Sequence, residues 1–165
     1  KNMKKKLFAV MICLLAAAPV FGQKFNLGIR GGYGLQADAE YYFGNNMFVE
    51  GRFGMGILAA AGDGKVTSAP DADFNALIGW RVWEKNGMFI NVGVGVEAGG
   101  RENIATAGGI LEGRFGYEFP SIPLTIAADW SPMLGAMIFY GGGESRGRFN
   151  TMGLCNFGLS AFYRF

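Results

Sequence analysis

Apolar and polar residues alternate with a period of two along most of the chain, the spacing of a strand whose two faces meet different surroundings. At the C-terminal end Phe157, Leu159, Ala161, Tyr163 and Phe165 share one face. Asn156, Gly158, Ser160 and Arg164 share the other, with Phe162 its single bulky exception. The same rhythm predicts strands over Phe25–Tyr33, Leu35–Phe43, Met47–Ile57, Phe74–Trp83, Met88–Gly99, Gly109–Phe119, Leu124–Ile138 and Cys155–Phe165. Leu35–Phe43 alternates most cleanly, while Leu77 and Trp83 break the inward polarity of their segment. Trp130-Ser131-Pro132 interrupts the seventh segment, and a proline there removes a ladder donor and predicts a bulge or rim.

The connections carry turn chemistry of two kinds. Gly44-Asn45-Asn46, Glu84-Lys85-Asn86-Gly87 and Pro120-Ser121-Ile122-Pro123 are short, and Asn86-Gly87 suits the type I′ corner of a hairpin. Longer polar loops are expected over 60–73, 101–106 and 141–148, and a tight glycine-rich reversal after the first segment. Eight strands joined by alternating short and long connections predict one all-β, antiparallel, up-and-down barrel.

Composition narrows the setting. Half the residues are apolar, 28 are glycine and 15 phenylalanine, and only 17% are charged, which suits neither a helical bundle nor a disordered chain. Met3-Lys4-Lys5-Lys6, the apolar run Leu7–Ala18 and Val20-Phe21-Gly22 together predict a cleaved secretory leader over residues 1–22, leaving 23–165 as the barrel. Four of the 15 basic residues (Lys1, Lys4, Lys5, Lys6) lie in that leader, so 11 would face 13 acidic ones, a net charge of −2. No basic patch remains to suggest nucleic acid as a partner. Cys155 would be the one cysteine left, so no intrachain disulfide is expected.

The polar face mixes charges with many glycines, whereas the apolar face is continuous and ends in aromatics. A soluble barrel would bury the apolar face; here the glycines leave room for long charged side chains in a narrow interior, so the apolar face is expected to meet lipid. A bilayer demands a closed sheet, and eight strands enclose a lumen that side chains just fill. The expected interior network comprises Arg30, Asp38, Glu40, Glu50, Arg52, Arg81, Glu97, Glu112, Arg114, Glu118, Asp129 and Arg164. Such charges should pair, because one left unpaired in a dry interior costs on the order of 3–5 kcal/mol. Glu50-Gly-Arg-Phe-Gly54 recurs as Glu112-Gly-Arg-Phe-Gly116 on strands of opposite direction, which argues against duplication of a hairpin. Trp80, Trp83, Trp130, Tyr33 and Tyr163 suit a girdle at the headgroup level.

Catalytic chemistry has little to draw on. The chain has no histidine, so the histidine bases of barrel lipid hydrolases and the commonest metal ligand are both missing. Asp38 and Glu40 share one strand face with arginines in reach and read as network members. Gly93-Val-Gly95-Val-Glu-Ala-Gly99 lacks the following helix that a nucleotide-binding loop requires. No cofactor, metal or enzymatic activity is expected.

The closing alternation resembles the last strand of Gram-negative outer-membrane β-barrels, in which a terminal Phe preceded by Tyr-x is an assembly signal. That resemblance gives Phe157, Leu159, Tyr163 and Phe165 this role and implies the β-barrel assembly machinery as a partner. Gly109-Ile-Leu-Glu through Gly116-Tyr-Glu-Phe, with Ile122-Pro-Leu-Thr-Ile-Ala-Ala-Asp129-Trp-Ser-Pro132, is similar to the small porin-like barrels of Bacteroidetes, to OmpX and to the OmpA transmembrane domain. The implied setting is the outer membrane after export to the periplasm, with membrane lipid as the surrounding partner. The expected role is envelope-structural, or surface interaction through 58–73, 100–107 and 140–150 with an unidentified protein. A narrow channel for ions or very small solutes and an accessory subunit of a larger envelope complex are the alternatives.

Overall fold

The computed structural model describes residues 24–32, 34–44, 46–62, 65–101, 103–141, 144–149 and 152–165; the expected leader and Tyr33 lie outside them. Ten strand segments form a single antiparallel sheet: β1 (Phe25–Gly31), β2 (Gly34–Phe43), β3 (Met47–Gly62), β4 (Lys65–Lys85), β5 (Met88–Arg101), β6 (Ile104–Glu118), β7 (Leu124–Trp130), β8 (Met133–Gly141), β9 (Glu144–Phe149) and β10 (Phe157–Arg164). β1 to β6 pair in sequence, β6 pairs with both β7 and β8, β8 pairs with β9, and β10 pairs with β7 and with β1, Asn26 opposite Arg164 and Gly31 opposite Leu159, which closes the ring.

Ten segments make eight staves. β6 pairs through Gly113–Glu118 with β7 and through Ile104–Ile110 with β8, so β7 and β8 are two halves of one stave parted at Ser131-Pro132. Proline cannot donate there, and the ladder resumes when the Leu111 amide donates to the Pro132 carbonyl at 3.1 Å. The expected continuous strand over Leu124–Ile138 is thus corrected to a broken one. Its neighbour breaks at the same level, β9 pairing with β8 and β10 with β7. Trp130 closes β7 at this break, stacked on Phe157 at 6.3 Å and donating from Nε1 to the Leu154 carbonyl at 2.9 Å. It is exposed there, close to the level of the β1–β2 turn.

The three expected long loops are also corrected. β3 continues to Gly62 and returns from Lys65, β5 turns between Arg101 and Ile104, and β8 turns between Gly141 and Glu144. Apolar alternation is lost in 60–73, but the backbone keeps its ladder there. β1 and β2 stop lower, so past their turn β3 over Ile57–Gly62 pairs only with β4, and β9 only with β8.

The Asn86-Gly87 corner has φ of 53° and 81°, the pair of positive values a two-residue I′ hairpin requires. A bulge between Arg81 and Trp83 shifts the β4–β5 register by one residue. Val82 and Trp83 consequently both face outward, so Trp83 does not break the inward polarity after all.

Candidate functional site: the charged lumen

The fully closed level of the barrel is inverted relative to a water-soluble core. Ile29, Phe53, Phe74, Val96, Leu111, Phe115 and Leu159 are exposed, whereas Arg30, Arg52 and Arg114 are among the most deeply buried side chains. Inward parity alone dictates this, because successive residues of a strand point to opposite faces.

Two Glu-x-Arg units form the centre. β3 and β6 run in opposite directions three staves apart, which brings Glu50-Gly-Arg52 face to face with Glu112-Gly-Arg114 across the lumen. They exchange partners. Arg114 Nη2 donates to both oxygens of Glu50 at 2.8 and 2.9 Å, and Arg52 Nη2 pairs with Glu112. Each arginine also reaches the acid on its own strand, Arg52 to Glu50 and Arg114 to Glu112 at 3.2 Å. Arg114 further binds Glu40, which accepts from Asn26 Nδ2 at 2.8 Å, and lies over the Phe162 ring at 5.1 Å.

A second node joins this centre to the wall break. Arg30 donates from Nε and Nη2 to Asp129 Oδ1 at 2.9 and 2.6 Å, and from Nη1 to Gln36 Oε1 at 3.0 Å. Ser131 and Ser160 also donate to Asp129, at 3.0 and 3.3 Å. Arg52 Nη1 donates to Ser131 Oγ at 3.1 Å, so the residue at the break links the two nodes. Counted together, Asp38, Glu40, Glu50, Glu112 and Asp129 stand against Arg30, Arg52 and Arg114, five carboxylates to three guanidiniums. Asp38 is the least engaged: neither oxygen accepts a hydrogen bond, and its nearest cations are Arg52 Nε at 3.6 Å and Arg114 Nη2 at 3.9 Å.

The remaining expected network residues lie elsewhere. Arg81, Glu118 and Arg164 form a separate cluster at the mouth beside the chain ends, where Glu118 Oε1 accepts from Arg81 at 2.6 Å and Oε2 from Arg164 at 2.8 Å. Glu97 is half-buried on β5, opposite Asn75. Phe157, Leu159 and Tyr163 face outward on β10, and Phe165 packs its ring on Tyr163 at 4.9 Å and on Phe25 at 6.0 Å.

Several lumen residues carry no charge and stand outside the expected charge network: Asn26, Gln36, Asn75, Asn91, Ser131 and Ser160, all buried. Inward parity was the signal available for each. Phe48, Phe89 and Phe162 are buried as well, and each sits directly across the ladder from a glycine: Phe48 from Gly79, Phe89 from Gly116, Phe162 from Gly28. The ring lies where the glycine's Cβ would be. Inward glycines thus make room for aromatic rings as well as for charges.

Polar side chains and rings together fill the closed section, and among the described residues no group of histidine, cysteine and acidic side chains is arranged to hold a metal. The fold and lumen define a small, closed, antiparallel β-barrel with an ion-paired interior. Comparison adds no relative: no protein-family model matches the chain, and neither a curated protein nor a solved structure gives a significant match.

Proposed function

We propose that this protein is an integral outer-membrane β-barrel whose role is structural or adhesive and not enzymatic, its lumen plugged by the ion-paired network and its long hairpins presented to the cell exterior. One observation carries the reading: the outward face of the closed section is apolar and exposed while the inward face is charged and buried. In water that arrangement leaves a large apolar surface uncovered; in a bilayer it places each face in its preferred medium. Tyr41, Trp80, Trp83 and Tyr163, exposed around the end bearing Lys24 and Phe165, suit a girdle at the headgroup level. That end would face the periplasm, and the β3–β4, β5–β6 and β8–β9 hairpins the exterior.

Spin labels at Val92, Val94 and Phe115 test the lipid contact directly. Hydrocarbon-like accessibility supports the assignment, and water contact at all three overturns it. Heat-modifiable migration of protein taken from an outer-membrane fraction is the companion measurement. Filling of the lumen favours the plug over a narrow channel, and planar-bilayer recording of the purified protein should therefore be silent.

A further inference from the structure

The barrel mouth beside the chain ends is a basin of about 880 Å³, with a polar wall supplied by Lys24, Tyr42, Arg81, Glu118, Ser121 and Arg164. Three cationic side chains, Lys24, Arg81 and Arg164, line it. Glu118 is the only side-chain carboxylate lining the basin, and both its oxygens are occupied, by Arg81 at 2.6 Å and Arg164 at 2.8 Å. Arg164 Nη2 is satisfied by the carbonyls of Phe119 and Ile122 at 2.6 and 3.1 Å. The Nε–H groups of Arg81 and Arg164 nonetheless meet no acceptor. The Tyr42 hydroxyl receives hydrogen bonds from Arg81 and Asn91 at 3.2 and 3.4 Å, which leaves its own hydrogen to give. Lys24 lies exposed at the rim and is in no ion pair among the described residues. Phe165 also borders the basin.

We propose that the basin is a binding site for a soluble oxyanion: a solute carrying a carboxylate or phosphate group. Lys24 and the accessible edge of Arg164 grip the anion, Arg81 stands behind them, and Pro120, Ile122 and Pro123 pack against its carbon skeleton. The volume falls within the range of small-molecule sites, roughly 300–1,000 Å³, so the basin takes more than an inorganic anion alone. Charge-assisted bonds from guanidinium to carboxylate or phosphate are the strong ones; Arg81 Nη1 also reaches Glu84 at 3.1 Å, so the cation left without an ion pair among the described residues is Lys24. A free solute suits the site better than a lipid headgroup because the guanidiniums sit inside the mouth, Arg81 only 12% and Arg164 27% exposed.

The test titrates the full chain, in uncharged detergent, with inorganic pyrophosphate and separately with citrate. Calorimetry reads the affinity and NMR reads the arginine Nε–H groups. Saturable one-to-one binding is expected, moving the Arg81 and Arg164 signals and leaving those of Arg30 and Arg52 in place. Lys24→Gln should weaken binding about tenfold, a loss of one charge-assisted contact. Ser121→Asp, which sets a carboxylate on an exposed turn at the rim, should weaken it at least as much with an unchanged unfolding midpoint. Shifts that rise linearly without saturating, shifts shared with the interior arginines, or affinity indifferent to both variants would overturn the site. Binding seen only when phosphatidylglycerol is added to the micelles would overturn the soluble source.

Discussion

Arg114→Met removes the residue that bonds most acids in the lumen, and its cost follows from who is left with a partner. Arg114 pairs with Glu40, Glu50 and Glu112. Without it Glu50 and Glu112 both keep Arg52, whereas Glu40 keeps only the Asn26 amide. One carboxylate, only 2% exposed, is stranded, and not three. Breaking a buried pair from one side costs about 3–5 kcal/mol, and loss of the contact over Phe162 adds about 0.5–2 kcal/mol. Tryptophan fluorescence of Trp80, Trp83 and Trp130 during urea unfolding in micelles measures the shift. Adding Glu40→Gln neutralises the stranded acid and should recover about 2 kcal/mol, a coupling within the range of contacting residues. A loss below about 1 kcal/mol, untouched by Glu40→Gln, is the behaviour of an exposed bridge. That outcome would mean water fills the lumen and would refute the reasoning for a dry plug.

Other perturbations separate the remaining parts of the structure. Gly79→Ala drives a methyl group into the Phe48 ring and should cost about 1–3 kcal/mol by overpacking, with Phe48→Leu restoring part of it in the double variant; the same urea titration reads both. Asp38→Asn removes an acid that accepts no hydrogen bond from a cluster with five carboxylates, so it should change stability by less than about 1 kcal/mol, whereas Glu50→Gln, which two arginines bind, should cost about 3 kcal/mol or more. Val94→Arg puts a cation on the middle of the outward face of β5 and should cost about 2–4 kcal/mol in bilayer refolding, while the inward neighbour Gly95 gives no room for any side chain at all.

The staves were legible in the sequence because period two is a property of the backbone and survives wherever the two faces meet different media. Leu35–Phe43 shows this at its simplest, and the Asn86-Gly87 corner shows that turn chemistry is equally local. Outside the closed section the signal fails for a physical reason. Over 57–62 and 65–73 the alternation of apolar and polar residues disappears while the hydrogen-bonded ladder continues, so loss of alternation does not mark the end of a strand. The bulge at Arg81/Trp83 was hidden because one inserted residue looks like an error in the pattern until the partner strand is known. Partner choice in the lumen was beyond reach for the same reason. Parity says that Glu50, Arg52, Glu112 and Arg114 point inward, but only the position of β3 relative to β6 says which meets which. The opposed directions that spoke against duplication are what bring the two copies of the motif into reciprocal register.

That reciprocity bears on the order of events during assembly. Neither half of the clasp has its cross-lumen partner until the staves between and beyond them have curled into a ring, so a flat intermediate sheet must keep four ionised groups hydrated. Shedding that water and sealing β10 onto β1 therefore become a single cooperative event, and a half-curled sheet is penalised from within. A protein built this way polices its own completion: the last seam is stitched in the wall, but the incentive to stitch it comes from the axis.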